Sequence, residues 1–286
     1  METSLYTNEV YGFTGGNVSS TSGKNHVEEM LSKTKSSKRN ALIKKIKDLI
    51  KQGEIVDDSF KTEVENIIKN YNSIKGTGGI SYTILGEGRV IEIGKGVNLF
   101  RVVKCPTYIG LPPATVHTYG RLNTPDEHPF YLSFDPLTAL YERMKYRNLL
   151  VFRTTKPIKC TIAEANLFQG KQFINKDRII GRNISALYNS LFNLVGDNDR
   201  AYYITNYIKN NFLDNKSSDA ILYPSKKLKD TNESLITKHR KISTKANFLL
   251  KDRRDPSDFL TLTHDYNIKI VDGKIKIIAD NKDGIM

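Results

Sequence analysis

Between positions 27 and 74 the apolar residues recur at helical spacing, with one stripe through Ala41, Leu42, Ile46, Leu49 and Ile50 and a second through Phe60, Val64, Ile67, Ile68 and Tyr71. Asp57, Asp58 and Ser59 stand just before the second stripe, and Glu63 and Glu65 load its early part, so a capped helix start is predicted there. Two or three amphipathic helices account for this region. Gly76, Gly78 and Gly79 then punctuate the chain, and the pattern changes to short β-type runs: Arg89–Ile93, Asn98–Val103 and Phe130–Phe134. Pro136 fits a first helical turn with Asp135 as its cap, and Leu137, Ala139, Leu140, Met144 and Tyr146 suit the amphipathic helix that would follow.

Strands are predicted at Leu149–Thr154, Lys159–Ile162 and Ala220–Tyr223, and helices at Ile184–Leu194 and Ala201–Phe212. From Ile268 to Ile278 apolar residues alternate with lysines on both sides of Asp272-Gly273, a pair that accepts the positive φ angles of a type I′ turn, so a hairpin is expected. No repeat of solenoid or propeller period is present. The order of elements predicts a mixed α+β fold with a mainly antiparallel sheet. The expected division is an arm over 1–25, helices over 26–75, a main domain over 79–255 and a hairpin-bearing segment over 256–286.

Composition narrows the partners more than the fold. The 286 residues carry 44 Lys and Arg against 31 Asp and Glu, a formal charge of +13, which favours anionic partners without saying which. Much of the surplus lies on the predicted helices, at Lys33, Lys35, Lys38, Arg39, Lys44, Lys45, Lys47 and Lys51, where a solvated face is the simplest reading. Cys105 and Cys160 form no CxxC pair, and no signal-like start or long apolar run is seen, so a reducing cytoplasmic setting without membrane insertion is expected. The five histidines, His26, His117, His128, His239 and His264, are scattered, and no metal is expected.

No phosphate loop, GxGxxG turn, HExxH or GxSxG is present. What stands out is a run of polar residues within the elements that begin at Gly120: Gly120-Arg121-Leu122-Asn123, Tyr131-Leu132-Ser133 and Ala139-Leu140-Tyr141-Glu142. Taken singly, Arg121 and Glu142 would serve equally as an ordinary ion pair, and Tyr131 as a core ring with its hydroxyl at the surface.

Together with Tyr223-Pro224-Ser225, these segments resemble, in order, the four motifs of the RES family, which is named for its Arg, Glu and Ser residues. Arg121 and Tyr131 are ten positions apart and Tyr131 and Glu142 eleven, similar to the family's spacing. Leu99-Phe100-Arg101 resembles its opening strand and Asp219-Ala220-Ile221-Leu222 the strand before its last motif. Leu122 departs from the pattern, standing where the family usually has Trp, and the stretch between Glu142 and Ser225 is extended.

The resemblance implies an ADP-ribosyltransferase-like fold that consumes NAD as substrate by cleaving its nicotinamide–ribose bond. Glu142 would support the developing positive charge, Arg121 and Arg101 would hold phosphate, Tyr131 would border the nicotinamide ring, and Ser225 would donate to phosphate or ribose. The acceptor would be water or inorganic phosphate. The resemblance also implies a toxin covered by a cognate antitoxin protein. Two alternatives remain open at this point: ADP-ribose transfer to a protein or nucleic acid, and a non-catalytic nucleic-acid-binding module using Lys226, Lys227, Lys229, Lys238, Arg240, Lys241 and Lys245.

Overall fold

A computed structural model describes residues 36–75, 81–83, 89–104, 119–162, 168–169, 198–213, 216–225, 241–242, 246–251, 254–271 and 274–281. The expected arm, the three boundary glycines, Cys105, the helix at 184–194, the Asp272-Gly273 turn and all but Lys241 of the late basic residues lie outside these residues.

Helices α1 (Ser36–Lys51) and α2 (Asp58–Asn72) form where the stripes predict. The α2 cap is Asp57, whose Oδ1 accepts from the Phe60 amide at 2.7 Å and so satisfies an N–H that the helix leaves unpaired. Lys44, Lys45, Lys47 and Lys51 of α1 are solvent-exposed. A small antiparallel pair, β1 (Ser73–Lys75) and β2 (Ser81–Thr83), follows. Next come β3 (Arg89–Ile93), β4 (Asn98–Val103), β5 (Phe130–Ser133), α3 (Pro136–Glu142), β6 (Asn148–Thr154), β7 (Ile158–Ile162) and β8 (Phe168–Gln169). The chain continues through α4 (Asp199–Ile208), a π-helical turn at Lys209–Leu213, β9 (Ala220–Pro224), β10 (Lys241–Ile242), β11 (Ala246–Leu250), β12 (Leu260–Val271) and β13 (Lys274–Asp280).

Among the described residues nine strands make one sheet in the order β13-β12-β6-β4-β5-β11-β9-β7-β3, antiparallel except for β7 with β9. The fold is therefore α+β with a mostly antiparallel sheet. β12 pairs with β6 from Leu260↔Thr154 to Asn267↔Asn148, so the C-terminal segment is built into this sheet, and β12 and β13 pair up to Val271↔Lys274 as the hairpin pattern predicts. The helix predicted from Pro136 ends at Glu142, two residues short of Met144, which is exposed.

Alternate side chains divide the core in two directions. One face of the sheet gathers Leu99 and Val103, Phe130 and Leu132, Leu150 and Phe152, Ala220 and Leu222, Phe248 and Leu250 into one cluster that, among the described residues, contains no helical residue. Cys160 lies in this cluster, and burial raises its thiol pKa. The other face carries the helices: α1, α2 and α4 cover Ile221, Tyr223 and Leu249, while α3 covers Phe100, Val102, Leu149 and Val151. Between those two helical layers, β4 and β5 pair at a single position, Phe100↔Ser133. The two strands separate beyond it, and a cavity lies at the separation.

Candidate active site

The cavity has a volume of about 590 Å³, and its walls include Arg101, Arg121, Tyr131, Glu142 and Arg143. Four of the five residues singled out from the sequence therefore line one space. The fifth, Ser225, is buried behind it, and its Oγ donates to Glu142 Oε1 at 2.6 Å. The Ser225 hydroxyl thus directs its hydrogen at the carboxylate.

Glu142 sits where it does because α3 starts sharply. Pro136 opens the helix without needing an amide partner, and Asp135 Oδ2 accepts from the Thr138 amide at 2.8 Å. Two turns later Glu142 is the last helical residue, a place where the helix dipole disfavours negative charge. Donors offset that penalty. Besides Ser225, Asn247 Nδ2 donates to the same Oε1 at 2.9 Å, and Asn247 Oδ1 in turn accepts from Ser133 Oγ at 2.7 Å. The Arg121–Glu142 ion pair left open by the sequence is absent from the ion pairs seen among the described residues.

Arg121 is presented by the Gly120–Asn123 turn, closed by the Gly120 amide donating to the Asn123 carbonyl at 3.0 Å. A Cβ at position 120 would overlap Asn123 Oδ1, which explains the glycine. The Tyr131 hydroxyl donates to Asn123 Oδ1 at 2.9 Å and accepts from the Leu122 amide at 3.2 Å, so its polar end braces the turn while its ring borders the cavity. Burial raises the Tyr131 pKa, keeping the hydroxyl protonated as a donor. Helix α4 holds the turn from the other side. Asn206 Nδ2 donates to the Gly120 and Asn123 carbonyls at 2.9 and 3.0 Å, and Thr205 Oγ1 donates to the Arg121 carbonyl. Leu122, the departure from the motif, is fully buried in the cluster under the helices and pins the turn to the core.

Arg101 projects from β4 toward the strand separation, with its Cζ 4.2 Å from the centre of the Phe130 ring. Among the described residues its buried Nη1 has no hydrogen-bond partner. Burial, and then the neighbouring positive charge of Arg143, lower its pKa to about 10, so it stays a cation at neutral pH. A cation desolvated in this way gains from any anion brought beside it.

Asn247, Asn206 and Thr205 were not singled out from the sequence, and Ser133 only as part of the Tyr131-Leu132-Ser133 motif. Each is a polar residue at most 3% exposed within an element otherwise built for packing, and that misplacement is the signal available for them.

No family model matches the chain, and no curated protein sequence matches it. A solved structure of the MbcT–MbcA toxin–antitoxin complex of M. tuberculosis aligns over 61% of this chain and 85% of that chain, at 10% identity and a TM-score of 0.35. A likeness this loose carries no function across.

Proposed function

We propose that the chain cleaves the nicotinamide–ribose bond of NAD at this cavity and acts as a toxin neutralised by a cognate antitoxin protein. The observation that carries the reading is one carboxylate, Glu142, held by two donors at the wall of a cavity that also receives Arg101, Arg121 and Arg143. The volume of about 590 Å³ falls within the usual range for small-molecule sites. The motif resemblance supplies the substrate, and the charges fit it: NAD offers a pyrophosphate for the arginines and a ribose whose C1′ becomes cationic as the bond breaks.

The nicotinamide nitrogen is already cationic, so it leaves as a neutral molecule with the bonding pair and needs no general acid. Positive charge then develops on the ribose, as in glycoside hydrolysis, and a carboxylate fixed in a partly dry site stabilises it. Arg121 serves as a bidentate phosphate anchor, Arg101 as a second cation for the same group, and the Tyr131 ring as a wall for the nicotinamide. Water attacking C1′ gives ADP-ribose and releases a proton; inorganic phosphate gives the 1-phosphorylated sugar instead.

The test is to incubate the purified chain with NAD, with and without phosphate, and identify the products by mass spectrometry. Free nicotinamide is expected in both, and the companion product names the acceptor. Glu142→Gln should lower turnover about 100-fold or more while the protein stays folded. Turnover near the wild-type rate in that variant would remove Glu142 from the mechanism. Expression without a partner should arrest growth, and Glu142→Gln should relieve the arrest.

A second reading keeps the cavity and changes the acceptor to a macromolecule. The exposed lysines of α1 favour an anionic one. Labelled NAD added to cell lysate separates the two, since transfer to protein or nucleic acid leaves label on large molecules.

A further inference from the structure

We propose that Asn247 and Ser133 are positioning residues that fix the direction in which Glu142 presents its carboxylate; the inference rests on the reading of Glu142 as the group that faces the reacting ribose. Asn247 lies in β11, whose five residues are all buried, and is 1% exposed. A primary amide inside such a strand is costly unless both its ends are satisfied. Here they are, on opposite sides. Nδ2 donates to Glu142 Oε1 at 2.9 Å, and Oδ1 accepts from Ser133 Oγ at 2.7 Å.

The geometry gives the amide a direction. Turning it over would set Oδ1 against a carboxylate oxygen with no hydrogen between them, so the acceptor end faces Ser133. Ser133 anchors that end. It lies directly across the ladder from Asn247 in the neighbouring strand β5, so its hydroxyl is fixed by the sheet. The Ser225 hydroxyl meets the same Oε1 at 2.6 Å from the end of β9. Glu142 closes a seven-residue helix, and on its own would be oriented by its rotamers alone. Two donors on one oxygen, both carried by strands of one sheet, define its rotation relative to the cavity wall.

Removing this support should act on the chemical step more than on substrate binding, since Asn247 Nδ2 directs a hydrogen to Glu142 and Ser133 Oγ directs its own to Asn247, although both residues border the cavity. In the purified full chain, Asn247→Asp puts an acceptor where Glu142 needs a donor and should lower kcat for NAD cleavage about 10–100-fold with KM unchanged. Ser133→Ala should lower kcat by a smaller factor, and Ser133→Thr, which keeps the hydroxyl, should restore it. A folded Asn247→Asp protein with wild-type kcat, or with a loss confined to KM, overturns the proposal. If Asn247→Asp does not fold, the serine pair decides: equal kcat in Ser133→Ala and Ser133→Thr overturns it, and a loss in the alanine variant alone supports it. Glu142→Gln run beside them keeps the two claims apart. An inactive Glu142→Gln with fully active Asn247 and Ser133 variants sinks the positioning role alone, whereas an active Glu142→Gln sinks the reading of Glu142 itself.

Discussion

Asn206→Ala tests whether α4 is what holds Arg121 at the cavity. In the structure the Asn206 side chain donates to three carbonyls, those of Gly120 at 2.9 Å, Asn123 at 3.0 Å and Tyr202 at 2.8 Å. The amide has two hydrogens, so one of them is shared. Tyr202 lies one helical turn before Asn206 and its carbonyl keeps that position's backbone partner, so its loss is small. The Gly120 and Asn123 carbonyls belong to the turn, and Asn206 is 1% exposed, so removing the amide withdraws a donor from two sheltered acceptors. A net hydrogen bond contributes about 1 kcal/mol, and a buried acceptor left without a donor costs about 1–3 kcal/mol, so the variant should lose about 2–4 kcal/mol. Water entering from the cavity would bring the loss toward the lower figure.

Urea unfolding followed by circular dichroism should show a lower midpoint, by about 1 M, with an unchanged slope. Titration calorimetry with NAD should show weaker binding in the folded variant, since the turn that loses its brace carries Arg121. Stability within about 0.5 kcal/mol of wild type together with unchanged NAD affinity would refute the reasoning, because surface substitutions alone fall in that range.

Arg121→Lys retains the charge and removes the planar fork, so NAD affinity should fall about tenfold, by calorimetry, while the melting temperature holds; equal affinity would take Arg121 out of phosphate binding. Gly120→Ala drives a methyl group into Asn123 Oδ1, which Tyr131 holds, and should cost about 1–3 kcal/mol by denaturant unfolding; a neutral result would mean that Asn123 has room to turn. Asp265 is fully buried on β12, and burial, followed by the nearby Asp280 carboxylate, raises its pKa above 3.8. The folded state then holds its proton where the unfolded chain has released it, so this group's effect on stability is neutral below about pH 3.8 and grows more unfavourable as pH rises through the folded value. Asp265→Asn should therefore gain on wild type between pH 4 and pH 7 in melting temperature, and a gap that stays constant across that range would contradict the shift.

The sequence was legible where local chemistry decides the outcome. Asp135 and Pro136 start α3, Asp57 starts α2, and alternating residues make the β12–β13 hairpin, because caps, turns and periodicity act over a few neighbours. Arg101, Arg121, Tyr131 and Glu142, which line one cavity, stood out because each carries a polar group at a position that packing alone does not explain. β11 escaped notice for the opposite reason. Its run Ala246-Asn247-Phe248-Leu249-Leu250 is buried on both faces, so no alternation marks it, and its two partners, β5 and β9, come from distant parts of the chain.

The contact of Ser225 with Glu142 was hidden on similar grounds. A serine beside a motif reads equally well as a ligand contact or as a brace, and the choice depends on Glu142, 83 positions earlier, facing it across the fold. Asn247 is the sharper instance, because Glu142 lies 105 positions away and Ser133 lies 114. An asparagine in a strand buried on both sides signals a partner, since an unpaired amide there costs more than the strand gains from the residue. The sequence announces that such a partner exists and withholds its identity, which is a property of the folded sheet. The residues that contact substrate can thus be sought by motif, whereas those that aim them are found by asking where every buried polar atom sends its hydrogen bond.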